Sequence, residues 1–479
     1  MARQLLDDRW LDSTADARLA RRLQQGVRRA RRSGVPVLVS VTTVLHRDVD
    51  PSAIVCASRT AGEPWFCFEQ PDRERVSLAA LGGVRTLEAT GERRFGEVAD
   101  RWRALGERAI ADPPPGADGA PGAGLAAVGG FAFAPDGAAA RAWRGFAGAS
   151  LVVPALSLAR RGRRTWLTLN AEVAPDDDEE RLLEVARERL RALREEPLAL
   201  LDPAPVGRFQ VASTMPPAHY EQAVARAVDR IAAGEFEKVV LAREVEVHAP
   251  ATHDPAAALG LLRDAFPTSF VYAVGRGDAT FIGATPELLI RRQGQRASTV
   301  ALAGSTRRSA DPAVDDHLGE QLLRSDKERH ENRIVARRIA QTLRPHSVWV
   351  SAADEPVVVK VANIQHLASA IRAQLAAPVD AVTLTGLLHP TPAVGAEPRD
   401  AVAEIPALEG FDRGWYAGAV GWTDTTGDGE FCVALRCALL RGRHARCFAG
   451  CGIVRDSDPA AELAETEIKL QVMLPGLTG

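Results

Sequence analysis

Lysine is rare in this chain, and one lysine lies in an apolar, strand-like segment. Of the 59 basic residues among 479, only four are lysine, at positions 238, 327, 360 and 469. Strand alternation places Lys238 on the same face as Phe236, Val240 and Ala242, so we predict a buried ammonium. A lysine that accepts a proton near neutral pH must lose about three units from a reference pKa of about 10.4, which burial and a nearby cation can supply. Lys238 is therefore a candidate general base, and an ion pair at a strand end is the alternative.

An acidic residue interrupts a second apolar segment. Glu287 follows Pro286, between the apolar residues 281–284 and 288–290. A carboxyl in such surroundings keeps its proton or pairs with a cation. Glu287 is therefore a candidate general acid, and a structural hydrogen bond is the alternative.

Two pairs of glutamates are spaced three residues apart on two predicted helices. The first pair is Glu328 and Glu331, and the second is Glu462 and Glu465. The first helix is predicted over residues 313–343, where Glu331 adjoins the apolar stripe, and the second over residues 459–474. If the helices face each other, the carboxylates converge and require a divalent cation, for which Mg²⁺ is suited. Two solvated helix faces are the alternative.

A single arginine lies in a run that is apolar on both faces. Arg436 falls within residues 431–440, which we predict as one continuous strand of a hairpin over residues 417–440. A buried guanidinium requires an anion, and no acid lies within this run. A substrate carboxylate held by two hydrogen bonds would serve, and a distant protein carboxylate is the alternative. Residues that would let backbone amides approach a ligand are Gly304, Ser305, Gly450 and Gly452.

The elements that must position these residues are strands and helices in mixed order. Antiparallel hairpins among long helices predict an α+β fold, in which layered antiparallel sheets are flanked by helices. Prolines between residues 197 and 205 indicate a boundary. We therefore predict an N-terminal α/β subdomain over residues 1–205 and a catalytic domain over residues 206–479.

The composition excludes several classes of function. With 46% hydrophobic and 25% charged residues, the chain can bury a large core. The formal net charge is -3, and no basic excess indicates nucleic-acid binding. No segment approaches the about 18 apolar residues of a membrane span, and the N-terminus has no signal pattern, so we expect a cytoplasmic protein with a small-molecule substrate. Six cysteines are too few for a disulfide scaffold in a chain of this length.

Seven segments together resemble the chorismate-utilising enzymes, and among them the isochorismate synthases. They include Gly-Ala-Thr-Pro-Glu at 283–287 and Ala-Gly-Cys-Gly-Ile-Val at 449–454, and together they comprise residues 236–243, 283–289, 302–308, 326–332, 365–367, 389–393 and 449–469. The resemblance is strong over about residues 217–475 and loose over the first 200. It implies the layered fold of that family, chorismate as substrate, magnesium as cofactor and a monomeric protein.

The resemblance implies a reaction and its proton-transfer groups. Water adds at C2 of the chorismate ring as the C4 hydroxyl leaves, and the exchange is reversible. Lys238 resembles the base that activates the water. Glu287 resembles the acid that protonates the leaving hydroxyl.

The resemblance also implies which residues bind the metal and the substrate. Glu331 and Glu465 resemble direct magnesium ligands, and Glu328 and Glu462 resemble residues that hold its waters. The ring carboxylate would be bound by magnesium with the help of Gly304, Ser305 and Lys469. Groups expected around the enolpyruvyl carboxylate are Tyr416, Arg436 and the amides of Gly450 to Gly452, and His366 matches a histidine near the C4 hydroxyl.

Three positions bear on the alternatives within this family. The ammonia-using anthranilate and aminodeoxychorismate synthases lack a lysine where Lys238 stands, and aminodeoxychorismate synthases carry one where Ala303 stands. Tyr416 is a departure, because some isochorismate synthases carry Phe there and salicylate synthases often carry Tyr. The alternatives are a salicylate synthase that also eliminates pyruvate, an ammonia-using synthase component, and a chorismate-binding protein without activity. The sequence leaves open whether the product enters menaquinone or siderophore synthesis.

Overall fold

Two large β-sheets contain most of the strands in the computed structural model, which describes residues 9–116, 119–202, 206–362 and 364–478. The strands, numbered along the chain, are β1 Val37–Leu45, β2 Gly62–Gln70, β3 Val76–Leu81, β4 Arg85–Ala89, β5 Ile110–Ala111, β6 Ala126–Phe131, β7 Ala149–Val153, β8 Leu156–Arg161, β9 Arg164–Val173, β10 Gln210–Ser213, β11 Lys238–His248, β12 Phe270–Gly277, β13 Ala279–Thr285, β14 Leu288–Gln293, β15 Arg296–Arg307, β16 Ser347–Ala352, β17 Val357–Lys360, β18 Ile364–Leu375, β19 Ala396–Glu397, β20 Ala419–Asp424, β21 Gly429–Val433, β22 Cys437–Arg441 and β23 His444–Ile453. The first sheet has the order β10-β11-β23-β22-β13-β12-β2-β3-β8-β9-β1-β5, with β19 beside β11. The second has the order β16-β18-β15-β14-β21-β20-β6-β7-β4, with β17 beside β18.

The helices cover the sheets. They are α1 Ser13–Ser33, α2 Pro51–Ser58, α3 Arg94–Arg108, α4 Glu179–Arg191, α5 Pro217–Ala232, α6 Pro255–Ala265, α7 Pro312–Arg324, α8 Asp326–Leu343, α9 Ala381–Leu388, α10 Ile405–Glu409, α11 Pro459–Leu470 and α12 Pro475–Thr478. Several begin with an Asp-Pro pair, as at Asp311 and Asp458, whose carboxylates accept backbone N–H groups of the first turn. The predicted α+β class with layered antiparallel sheets is confirmed. No helix in the described ranges is long and apolar enough to cross a membrane.

Strand alternation divides the interior into two cores. In β2, Phe66 and Phe68 join the core that contains side chains of both sheets. Trp65 and Cys67, on the opposite face, join a second core beneath α1, α2 and α6. The first sheet is therefore buried on both faces, one towards the second sheet and the other beneath helices.

The predicted continuous helix over residues 313–343 is wrong. It consists of α7 and α8, which are separated at Ser325. Ser325 has an extended backbone, and its hydroxyl accepts the N–H of Glu328 at 3.3 Å, so it ends one helix and caps the next. The new helix start places Glu328 and Glu331 in its first two turns.

The predicted continuous strand over residues 431–440 is also wrong, and Arg436 is not in mid-strand. Strand β21 belongs to the second sheet and β22 to the first, so the chain crosses between the sheets at residues 434–436. Arg436 has φ +48°, which a continuing strand does not allow. Apolar residues on both faces gave no sign of this crossing, because each half is buried in its own sheet.

A second crossing lies beside the first one. Strand β13 belongs to the first sheet and β14 to the second, and Glu287 lies in the turn between them. The two crossings are joined by backbone hydrogen bonds from Val433 N to Glu287 O at 3.0 Å and from Ala284 N to Arg436 O at 3.1 Å. The predicted acid and the predicted carboxylate-binding arginine thus lie on neighbouring, connected segments.

Strands from both sides of the predicted domain boundary join both sheets. In the first sheet β2 pairs with β12, and in the second β6 pairs with β20. The boundary itself falls at residues 203–205, which lie outside the described residues. The division at residue 205 stays a prediction, and the two parts share their sheets.

Candidate active site

A cavity is lined by β11 and β23 of the first sheet, β15 and β18 of the second, and the helices α8 and α11. Every predicted site residue except Lys238 lines this cavity. The two helices that carry the glutamate pairs therefore face one space, as expected if the carboxylates converge. Apolar lining residues that the sequence analysis did not single out include Val240, Leu302, Leu435 and Phe448.

Lys238, the first residue of β11, lies directly behind the cavity wall. Its side chain is 0% exposed, and Nζ lies 2.9 Å from Glu331 Oε1. This contact is not aligned as a hydrogen bond, so the donor capacity of Nζ is unmet within the described chain. The structure thus shows the predicted burial of Lys238. It also shows an ion pair at the start of the strand, which was the alternative to the role of general base.

Gly452 on β23 makes room for this ion pair. A β-carbon at this position would overlap the Glu331 carboxylate and lie 2.8 Å from Lys238 Cε. The sequence analysis expected Gly452 to expose its amide to a ligand. The structure gives a further reason for glycine here, because any larger residue would separate the amine from the carboxylate.

We expect Gly452→Ala to lower both turnover and stability, because the added methyl would overlap the Glu331 carboxylate, a predicted metal ligand on the cavity wall. Overpacking of this kind costs about 1–3 kcal/mol. Chemical denaturation and steady-state kinetics measure the two effects. Gly96→Ala on α3 is the matched control, since no atom lies within 4 Å of a β-carbon there, and it should be neutral or slightly stabilising. Wild-type turnover in Gly452→Ala would contradict the need for open space beside the Glu331 carboxylate.

Glu287 is a buried carboxyl that keeps its proton at neutral pH. Its side chain lines the cavity, and the residue is 4% exposed. Burial raises the pKa of Glu287 to about 8, although the charges of Lys238, Arg436 and Lys469 act in the opposite direction. At pH 7 the group can therefore donate a proton into the cavity.

The four predicted metal ligands form a carboxylate cluster, defined as Glu328, Glu331, Glu462 and Glu465. Burial and the charge of Glu331 raise the pKa of Glu328 to about 7, with Lys327 opposing them. Burial and Glu465 likewise raise the pKa of Glu462. Burial would raise the pKa of Glu465 too, but Lys469, Ser305 and Lys327 together outweigh it and hold that pKa below the ordinary value. The cluster thus carries negative charge that a cation would stabilise.

Two lysines compensate part of this charge. Lys327 Nζ lies 3.0 Å from Glu462 Oε1 and 3.7 Å from Glu328 Oε1. Lys469 Nζ lies 2.7 Å from Glu465 Oε1 and donates to Gly450 O at 2.8 Å. The sequence analysis assigned no role to Lys327, although the scarcity of lysine was a signal that could have indicated one.

The oxygen atoms of the carboxylate cluster suit a hard divalent cation, but not all of them converge on one point. Carboxylate oxygens are the ligands that Mg²⁺ prefers, and the cavity leaves space for water and substrate oxygens. The ligand atoms of Glu462, Glu465 and Cys451 lie within 4.8 Å of one another, whereas Glu331 is paired with Lys238. The ion pair uses Glu331 Oε1, so Oε2 is the oxygen through which this carboxylate would bind a cation.

Ser305 links the second sheet to the carboxylate cluster. Its N–H donates to Glu328 Oε2 at 2.9 Å, and its hydroxyl donates to Glu465 Oε1 at 2.7 Å. Gly304 has φ +82°, a left-handed conformation that glycine adopts without strain, and this turns the Ser305 amide towards α8. Both residues line the cavity as predicted, but here the Ser305 amide is engaged by Glu328.

Arg436 and His366 form a polar pair on the cavity wall. The Nη2 of Arg436 donates to His366 Nε2, and no carboxylate in the described ranges forms an ion pair with Arg436. Burial lowers the pKa of Arg436 to about 10, and burial together with Arg436 and Lys469 lowers that of His366 well below its usual range. A neutral His366 can accept this hydrogen bond. The guanidinium is thus left to bind an incoming anion.

Tyr416 packs flat against Phe448, with ring centroids 5.2 Å apart. A β-carbon at Gly450 would lie 2.9 Å from its hydroxyl oxygen. Burial raises the pKa of Tyr416, so the hydroxyl stays neutral and can donate a hydrogen bond. Tyr416, Arg436 and Gly450 therefore line one region of the cavity wall, where the sequence analysis expected a carboxylate.

The chain matches the family described as "Chorismate binding enzyme" over residues 24–478. It is 36% identical to the "Salicylate biosynthesis isochorismate synthase" of Pseudomonas aeruginosa over 446 residues, which are 92% of this chain and 90% of that protein. It is 33% identical to "Isochorismate synthase MenF" of Bacillus subtilis, over 86% of this chain and 88% of the relative. The solved structure of MenF, the menaquinone-specific isochorismate synthase of Escherichia coli, superposes with a TM-score of 0.77 at 28% identity, over 97% of this chain and 99% of the other. Together with the site geometry, these matches establish that the chain belongs to the chorismate-binding enzyme family.

Proposed function

We propose that this chain is an isochorismate synthase, which converts chorismate to isochorismate and back. One observation carries the proposal: a proton-bearing carboxyl, Glu287, lines a cavity that has a buried amine, Lys238, immediately behind its wall. Exchange of hydroxyl groups needs one group that takes a proton from water and one that gives a proton to the departing hydroxyl. All the residues named here belong to one chain, so the proposed reaction needs no residue from a partner, and a monomeric protein stays a prediction.

The two proton transfers balance. Lys238 accepts a proton from the water that adds at C2, and Glu287 donates a proton to the C4 hydroxyl, which leaves as water. The base role requires the neutral amine, so the contact of Lys238 Nζ with Glu331 Oε1 at 2.9 Å must give way before Lys238 takes the proton. Reversal of the two roles gives the reverse reaction.

The charges of the cavity suit a substrate with two carboxylates. Arg436, Tyr416 and the Gly450 backbone would hold the enolpyruvyl carboxylate, since the guanidinium has no acidic partner in the described residues. Lys469 and Ser305 lie beside the carboxylate cluster and would hold the ring carboxylate. Glu331 and Glu465 would bind Mg²⁺ directly, with Glu328 and Glu462 bound to its waters. When bound, Mg²⁺ supplies the positive charge that keeps an anionic substrate among acidic side chains.

The direct test is incubation of the purified chain with chorismate and Mg²⁺, followed by chromatographic separation of the products. We expect isochorismate, with chorismate re-formed when isochorismate is supplied. Salicylate together with pyruvate would support the salicylate synthase alternative, which Tyr416 favours. Anthranilate formed only with an ammonia source would contradict the proposal, and so would the absence of any product.

Opposite shifts in Mg²⁺ affinity are expected from two substitutions at the carboxylate cluster. Glu465→Gln removes a negative charge and should weaken Mg²⁺ binding by about tenfold or more. Lys327→Met removes the lysine cation that lies 3.0 Å from Glu462, and this should strengthen Mg²⁺ binding. Calorimetric titration with Mg²⁺ in the absence of substrate measures both. Unchanged affinity in Glu465→Gln would count against this ligand set, and weaker binding in Lys327→Met would contradict charge competition.

A further inference from the structure

A β-bulge in β15 carries the glycine and the serine that lie beside the carboxylate cluster. Residues 303–304 together stand opposite Leu367 alone, between the regular pairs that Leu302 and Ser305 make with β18. A bulge of this kind interrupts the ladder of hydrogen bonds between two strands. The position of Ser305 therefore depends on what else holds this part of β15.

The side chain of Asn332 on α8 holds the bulge. Its NH₂ group donates to the carbonyl oxygens of Ala301 at 3.2 Å, Ala303 at 3.3 Å and Leu367 at 3.1 Å. Its Oδ1 accepts the hydroxyl of Ser369 at 2.7 Å. Since an NH₂ group has two hydrogens, one of them is shared between two carbonyls. A single carboxamide thus joins α8 to both strands at the bulge.

These four hydrogen bonds lie in the interior. Asn332 and Ser369 are both buried, and neither side chain lines the cavity. A buried polar group that loses its partner carries the cost of its desolvation without compensation. The carboxamide therefore fixes one turn of α8 against β15 and β18.

The turn of α8 that Asn332 fixes also carries two of the predicted metal ligands. Glu331 directly precedes Asn332, and Glu328 lies four residues before it, about one helical turn away. Glu328 Oε2 accepts the Ser305 N–H at 2.9 Å, and the Ser305 hydroxyl donates to Glu465 Oε1 at 2.7 Å. A shift of α8 along the bulge would therefore separate the carboxylates from Ser305.

We propose that Asn332 is a positioning residue, which keeps the turn of Glu328 and Glu331 in register with the bulge of Gly304 and Ser305. The inference rests on the proposed function, because that function assigns these groups to Mg²⁺ and to the ring carboxylate. The Asn332 side chain contacts neither of them, and it acts through the groups that do.

The effect of Asn332 should be confined to one side of the cavity. Among the described residues its side chain forms hydrogen bonds only to β15 and β18, whereas Glu287 and Arg436 are held by the two crossings between the sheets. Loss of the carboxamide should therefore weaken Mg²⁺ binding and raise the KM for chorismate. The pH at which the rate falls depends on Glu287 and should stay the same.

Two substitutions of graded effect test the proposal. Ser369→Ala removes one of the four hydrogen bonds, and Asn332→Leu removes all four while filling a similar space. Calorimetric titration with Mg²⁺ in the absence of substrate should show binding weakened by about two- to tenfold in Ser369→Ala and by about tenfold or more in Asn332→Leu. Ser369→Thr keeps the hydroxyl and should restore the wild-type affinity. Ser77→Ala on β3 is the matched control, because Ser77 is buried and its hydroxyl has no partner within the described chain.

Hydrogen exchange measured by mass spectrometry needs neither metal nor substrate. In Ser369→Ala the amide of Ser305 should exchange faster than in the wild type, while the amides of β1 and β9, which pair with each other elsewhere in the first sheet, should be unchanged. If the wild type formed no isochorismate, the proposed function would fail, and the exchange at Ser305 would still decide the role of Asn332. The same holds if Asn332→Leu does not fold, because Ser369→Ala keeps the carboxamide. Wild-type exchange at Ser305, or wild-type Mg²⁺ affinity, in folded Ser369→Ala would overturn the proposal.

Discussion

Lys238→Met is expected to reduce isochorismate formation by about 10²–10⁴-fold, the range that one positioned proton-transfer group contributes. Methionine fills the buried space but cannot accept a proton. The same substitution leaves the Glu331 carboxylate without its partner at 2.9 Å, and breaking a buried pair costs about 3–5 kcal/mol. Activity and the free energy of unfolding should therefore fall together.

A double variant separates the two effects. Lys238→Met combined with Glu331→Gln removes both charges, and we expect it to regain stability, whereas turnover stays low because the base and a proposed Mg²⁺ ligand are both missing. Lys360→Met is the matched control, because Lys360 pairs with Asp315 and Asp316 outside the cavity and its loss should leave stability and turnover close to those of the wild type. Substantial turnover in the folded double variant would show that Lys238 is not the base.

Glu287→Gln is expected to abolish turnover to a similar extent while the protein stays folded, because glutamine has the shape of the protonated acid but cannot donate an acidic proton. Product assay and circular dichroism measure the two outcomes. Glu237→Gln is the control, since Glu237 pairs with Arg337 at the surface. Near-normal rates in a folded Glu287→Gln protein would exclude the acid role.

The pKa of Glu287 also predicts how the wild type responds to pH. The rate should fall as pH rises through about 8, where the acid loses its proton. Since burial raises this pKa from an ordinary value of about 4.3, the folded state binds the extra proton between these values. The associated stability is fully present below about pH 4.3 and is lost as pH approaches 8, and Glu287→Gln should remove this dependence.

Which residues are buried could be predicted from the sequence more accurately than the path that the chain follows between the sheets. Strand alternation placed Lys238 in the interior, and a spacing of three residues placed Glu331 towards the core, because both periodicities follow from local backbone geometry. The convergence of α8 and α11 followed only from resemblance, since it depends on contacts far apart in sequence. The contact of Lys327 with Glu462 was missed because it also joins residues far apart in sequence.

The errors lie where local patterns carry no information about the neighbouring element. A strand that is buried on both faces has an apolar sequence without alternation. The sequence therefore gave no indication that the chain changes sheet at residues 434–436. The periodicity of α7 continues into α8, and only the capping serine at 325 interrupts it. Arg436 was expected in mid-strand, yet its positive φ shows that it stands where the strand has ended.

The two crossings are joined by hydrogen bonds, so they hold the acid and the guanidinium on connected segments. Because Glu287 and Arg436 lie on these segments, which both run between the sheets, a displacement of either segment changes the positions of both groups. Lys238 and Glu331 are positioned by other elements, since one begins a strand of the first sheet and the other lies on a helix packed against the second. A substitution that disturbs either crossing is therefore expected to impair proton donation and carboxylate binding together.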